Sequence, residues 1–99
     1  MMFVIIRPTS KPGKKLEAVI DGKTTVAFGA KGYEDFTTHK DEERKGIYIE
    51  RHAKGEDWTN PLTAGFWARY ILWGRPTILE SIEYVNKRFP NLKVKWSNV

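Results

Sequence analysis

The stretch Leu16–Phe28, LEAVIDGKTTVAF, decides the fold. Leu16, Ala18 and Ile20 alternate with Glu17 and Val19. After Asp21-Gly22, Thr24, Val26 and Phe28 alternate with Thr25 and Ala27. Asp-Gly between two alternating runs predicts a β-hairpin, because a type I′ turn needs positive φ at both central residues. Upstream, Met1–Arg7 is a short apolar run with β-branched Val4, Ile5 and Ile6, closed by Pro8. It reads as another strand, joined to the hairpin by the polar loop Thr9–Lys15 (TSKPGKK). Gly29 and Gly32 bracket the hairpin exit.

Downstream the period changes. Residues 30–40 (AKGYEDFTTHK) show none and predict an ordered loop, tacked to the core by Tyr33 and Phe36. A helix is predicted from Asp41, with Thr38 as N-cap and acids in the first turn, where the helix dipole favours them. Ile47, Tyr48, Arg51 and His52 lie on neighbouring faces, and Gly55 stops it. Gly46 inside this helix costs about 1 kcal/mol of propensity. Asn60-Pro61 predicts the start of a second helix running through PLTAGFWARYILW to Gly74. Thr77-Ile-Leu-Glu80 is a capping box for a third. Ile78, Ile82, Val85 and Phe89 give it an apolar stripe. Leu92, Val94 and Trp96 alternate with Lys93 and Lys95, so a closing strand with one basic face follows. The expected fold is α+β, one domain over residues 1–99. It has a small antiparallel sheet, from the N-terminal strands and the last strand, packed with about three helices.

Composition removes several function classes. With no cysteine, disulfide frameworks, thiolate catalysis and Cys-ligated zinc are out. No apolar run approaches the ~20 residues of a membrane span, so no membrane span is expected. MMFVIIRPTS is too short for a signal peptide and lacks basic residues before its apolar run. The net charge of +5 is uneven: +3 over residues 1–23, −2 over 24–60 and +4 over 61–99. That separates the chain from a uniformly basic nucleic-acid binder.

Catalytic patterns are lacking. There is no Gly-rich phosphate loop, no Gly-x-Ser-x-Gly elbow and no His-Glu-x-x-His. Gly46-Ile47-Tyr48 matches half of a GIY-YIG nuclease motif, but no second half follows. Asp41, Glu42 and Glu43 are consecutive on a helix and cannot converge on one ion. His39 and His52, with Asp35, Asp41 and Asp57, match no familiar metal-ligand spacing. No cofactor is expected, and the reading is non-enzymatic.

Two surfaces are candidates for binding. Phe66, Trp67, Tyr70 and Trp73 fall within eight residues, on a helix apolar nearly all round. A 99-residue domain has little material to cover such a helix. These rings are therefore expected to divide between core and a partner interface, with Trp58 beside them and Arg69 and Arg75 at the rim. The alternative is a nucleic-acid surface made by Lys87, Arg88, Lys93 and Lys95, with Lys11, Lys14 and Lys15 crowding the first loop.

Residues 26–81 also carry an idiosyncratic order. Gly32-Tyr33-Glu34-Asp35-Phe36-Thr37-Thr38-His39-Lys40-Asp41 continues to Arg44-Lys45, Tyr48, Arg51-His52 and Glu56-Asp57-Trp58. Thr63-Ala64-Gly65-Phe66-Trp67-Ala68-Arg69-Tyr70, Leu72-Trp73 and Pro76-Thr77 follow. This resembles a family of small uncharacterised proteins of large DNA viruses and related mobile elements. The resemblance implies a viral origin. It carries no catalytic assignment, and it points to a virion component such as a minor capsid protein. Such a protein would contact other virion proteins or itself, in the virion and, during assembly, in the host cytoplasm.

Overall fold

The computed structural model describes residues 1–98. Three N-terminal strands, β1 (Met2–Pro8), β2 (Lys14–Ile20) and β3 (Thr24–Ala30), join β4 (Leu92–Trp96) in one sheet of order β3-β2-β1-β4. Between β3 and β4 lie α1 (Phe36–His39), α2 (Glu42–His52), α3 (Ala64–Trp67, continued to Leu72) and α4 (Ile78–Arg88). The fold is α+β. No helix among the described residues is long and apolar enough to cross a membrane.

The hairpin forms as its sequence dictates. Asp21 and Gly22 both take positive φ, 52° and 66°, and the Lys23 N–H donates to the Ile20 carbonyl. This is the two-residue turn whose twist matches the flanking strands. The Asp21 carboxylate also accepts from the Phe3 N–H, tying the turn to β1.

The closing strand corrects one expectation. β4 alternates as read, with Leu92 and Val94 buried and Lys93 and Lys95 exposed, but it pairs with β1 parallel, so the sheet is mixed rather than antiparallel. Alternation reports which side chains face the core, not strand direction. Asn86 of α4 covers the outer edge of β4. Its carboxamide donates to the Val94 carbonyl (3.0 Å) and accepts from the Val94 N–H (2.8 Å), in place of a further strand.

All helices that bury apolar surface do so on one face of the sheet. That face presents Val4, Ile6, Leu16, Ala18, Ile20, Phe28, Leu92 and Val94, all buried. Phe66, Trp67, Ile71 and Leu72 pack onto it, with Ile82 and Val85 of α4 beside them. The central helix starts later than Asn60-Pro61 suggests. Asn60 holds a turn by accepting from the Leu62 N–H, and Thr63 is the N-cap, accepting from the Phe66 N–H. Its last turn widens. The Trp73 N–H reaches the Ala68 carbonyl five residues back, so Ala68–Leu72 is a π turn. Gly74 ends it, because a Cβ there would fall inside the Tyr70 carbonyl oxygen.

Two cap assignments also move. Asp41, not Thr38, caps α2 by accepting from the Glu43 and Arg44 N–H groups. Thr38 instead completes a capping box with Asp35 on the short α1, a helix the aperiodic segment 30–40 did not announce. Phe36 is buried as expected, whereas Tyr33 is 74% exposed and tacks nothing down. At α4, Thr77 accepts from the Glu80 N–H and donates to the Glu80 carboxylate.

The α2 helix buries no residue completely and is held by side-chain contacts alone. Tyr48 stacks on Trp73, with ring centres 4.3 Å apart and planes within 3°. Lys45 donates to the Gly74 carbonyl and lies over the Phe36 ring. Gly46 sits in α2 with nothing within 4 Å of where a Cβ would be. Gly46→Ala should therefore raise unfolding free energy by about 0.5–1 kcal/mol, read from urea denaturation at constant slope.

Candidate partner-docking surface

The ring-rich helix is covered within the chain more fully than its composition suggests. Phe66 and Trp67 are fully buried, and Trp67 donates its indole N–H to the Pro61 carbonyl. They are core residues, which corrects their place in a partner-binding set. Tyr70 and Trp73 are half-buried. Tyr70 packs against Phe66 and Phe89, and Trp73 is covered by Tyr48 and by His39 (5.3 Å between ring centres). Trp58 is half-buried and donates to Glu56, while the Arg69 guanidinium lies 5.4 Å from the Trp58 ring centre. Arg75 is exposed, over the Tyr84 ring. Four helices have absorbed most of the aromatic surface that the sequence left in excess.

Tyr33, Ile47, Leu62 and Leu79 are exposed singly in loops and helices, whereas two neighbouring apolar side chains are exposed together on the opposite side of the molecule. Val4 and Ile6 face the core, so Phe3, Ile5 and Arg7 project from the other face of β1. In register, Phe3 pairs with Lys93, Ile5 with Lys95 and Val19, Val19 with Thr25, and Glu17 with Arg7 and Ala27. Phe3 is 62% exposed and Ile5 43%. The result is an apolar strip, Phe3, Ile5, Val19 and Ala27, bordered by Lys93 and Lys95 on one side and by the Arg7–Glu17 pair at one end.

β1 is a central strand with apolar residues on both of its faces. Such a run is the pattern of a strand covered on both sides, yet here one side is bare. Sequence reading found Lys93 and Lys95 but missed Phe3 and Ile5. The signal was present in the unbroken apolar run Met1–Ile6, which only the one-sided packing turns into a surface.

The cations expected to form one nucleic-acid surface are separated. Lys93 and Lys95 project from the bare face. Lys87 and Arg88 belong to α4, which packs on the covered face, and Lys87 pairs with Glu83. In the first loop, Lys15 is withdrawn into an ion pair with buried Asp35.

The histidines and acids are used structurally. His39 Nδ1 accepts from the Asp41 N–H between α1 and α2, and His52 Nδ1 bonds the Tyr48 carbonyl of its own helix. Asp35 accepts from Thr37 and Lys15, and Asp57 from Thr59. No group of three or more His, Asp or Glu converges among the described residues. A groove of about 350 Å³ between the β2–β3 end and the helices is lined by Lys15, Asp35, Tyr48 and Glu56. Asp35 and Glu56 both hold hydrogen bonds there, and burial pushes the Tyr48 hydroxyl far above its ordinary value.

Residues 4–52, from β1 to the end of α2, match a family of unknown function (DUF5754). Neither the curated proteins nor the solved structures contain a significant match to the chain. The matched segment includes Ile5, Val19 and Ala27 of the strip.

At the end of the strip, hydrogen bonds from Thr9 and Arg7 hold the Glu17 carboxyl below its ordinary value of 4.5. A depressed carboxylate stabilises the fold above its unfolded-state pKa, and that contribution is lost as pH falls through the folded-state value. Being near the surface, it should amount to less than about 1 kcal/mol. Wild type should exceed Glu17→Gln in stability above about pH 4.5, and the difference should shrink as pH falls below that through the lower folded-state value, read from paired denaturation curves.

Proposed function

We propose that the protein is a non-enzymatic structural component that acts by protein–protein contact, docking through the bare face of its sheet. One observation carries this reading: a central strand with apolar side chains on both faces is covered on one only. Phe3 and Ile5 supply an apolar centre, and Lys93, Lys95 and Arg7 a charged rim, which is the layout of a protein interface. Three strands of seven residues and one of five, about 4.8 Å apart, give a face of roughly 19 by 23 Å at most. That is a modest patch beside the ~800 Å² each partner contributes to a stable complex, so affinity must concentrate in few residues. Covering what remains exposed of Phe3 and Ile5 is worth about 1–2 and about 1 kcal/mol before the cost of association.

The sequence resemblance to virus-encoded proteins supports a partner among virion proteins, as for a minor capsid protein, or a second copy of this chain. A nucleic-acid reading is favoured by one feature, the projection of Lys93 and Lys95 beside the Phe3 ring. That arrangement suits a single strand stacked on one aromatic.

Amine-reactive cross-linking of intact particles followed by mass spectrometry should recover this chain, with links from Lys93 or Lys95 to another virion protein or to itself. Absence of the chain from purified particles overturns the virion role. Phe3→Ser/Ile5→Ser should cost about 1–3 kcal/mol of stability, retain the far-UV circular dichroism of wild type, and weaken capture of the cross-linked partner at least tenfold. Unchanged capture overturns the docking face. Retarded migration of a single-stranded oligonucleotide, with affinity falling steeply as salt rises and abolished by Lys93→Gln/Lys95→Gln, would replace protein with nucleic acid as the ligand.

A further inference from the structure

Three cations from different parts of the chain converge behind the central helix. Lys45 comes from α2, Arg69 from the π turn and Arg75 from the loop that follows it. With Gly74 and Tyr84 they line a cavity of about 190 Å³. No carboxylate lines it, and none of the three cations forms an ion pair, among the described residues. Like charges gathered this closely repel, and the one carboxylate that acts on them, Glu42 beside Lys45 on α2, forms no ion pair with them.

We infer that this cavity is a binding site for a phosphate group.

The donors are placed by packing rather than left to roam. Arg69 donates through Nη1 to the Trp73 carbonyl (3.0 Å), which fixes the guanidinium plane across the end of the π turn. Its Nε is buried and has no hydrogen-bond partner. A buried guanidinium N–H without a partner costs free energy, and the fold tolerates it beside this cavity. Lys45 donates to the Gly74 carbonyl at 2.7 Å, which places its ammonium at the cavity wall. Arg75 lies with its guanidinium 4.5 Å from the Tyr84 ring centre, stacked and so limited in orientation. Burial, with Arg69 and Arg75 adding to it, pulls the Lys45 ammonium below its ordinary value, against Glu42 on the same helix. An anion in the cavity would reverse that destabilisation. Glu80 and Glu83 line the neighbouring cavity with Arg75 and Lys87, on the far side of Tyr84. Of the three cations only Arg75 also lines that cavity, and Glu83 pairs with Lys87.

The chemistry favours phosphate over a carboxylate. Two guanidinium groups and one ammonium supply donors from three directions, which matches an oxyanion with oxygens on every side. The site is independent of the bare sheet face, since its residues lie among the helices.

Isothermal titration of the full chain with inorganic phosphate, at constant ionic strength set by chloride, tests the site. Saturable binding with Kd of about 1 mM or tighter is expected. Arg75→Gln and Lys45→Gln should each weaken it about tenfold while retaining the far-UV circular dichroism of wild type. Lys31→Gln, which removes one exposed charge at the hairpin end, should leave it unchanged. Dimethyl phosphate separates the sources. Binding equal to that of phosphate assigns the site to a phosphodiester backbone, and weaker binding assigns it to a phosphate monoester. No saturable phosphate binding, or binding that Arg75→Gln and Lys45→Gln leave intact, overturns the inference.

Discussion

The burial of Phe66 and Trp67 against the inner face of the sheet is the interaction from which the remaining architecture follows. Two large rings with no exposed surface contribute several kcal/mol of apolar burial and set the distance between helix layer and sheet. Once they occupy that face, Phe28, Leu72, Ile82 and Val85 close around them, and the interior of a chain this small is full. Nothing remains to cover the second face of β1. A domain of twice the size would place helices there. Here no described helix packs on that face.

Much of this was legible in the sequence, and the limits have physical causes. Asp21-Gly22 named its turn because only positive φ fits there. Thr77 with Glu80 named a helix start because both partners of the cap stand three residues apart. The orientation of β4 was not legible, since the same alternating side chains serve either direction and only the course of α4 decides it. The π turn was hidden too, because a sixth residue in a helical turn leaves no mark on composition. Tyr33 and Phe36 flank an aperiodic segment and were indistinguishable, though one is buried and the other free.

The candidate surfaces were legible only in part. Aromatic density pointed to residues 58–75, and the surplus of rings was real as a count. The rings found partners in one another, with Trp73 under Tyr48 and Tyr70 between Phe66 and Phe89. Of the rings that stayed outside, Tyr33 stands alone in a loop and Phe3 sits in the first strand, where an unbroken apolar run looks the same whether it is covered on two faces or one. Arg69 and Arg75, read as the rim of a protein contact, acquire a different role once Lys45 is seen to join them, because that lysine lies on a helix no spacing rule connects to theirs.

The parallel pairing of β1 with β4 has a consequence during biosynthesis. The hairpin and β1 can assemble once residues 2–30 have emerged from the ribosome, but the free edge of β1 stays open until about sixty further residues have been made. At ~5–20 residues per second that interval is roughly 3–12 s. Throughout it, Phe3, Val4, Ile5 and Ile6 present an unpaired apolar ribbon to the crowded exit of the polysome. The nascent chain is therefore a natural client for the chaperones stationed there.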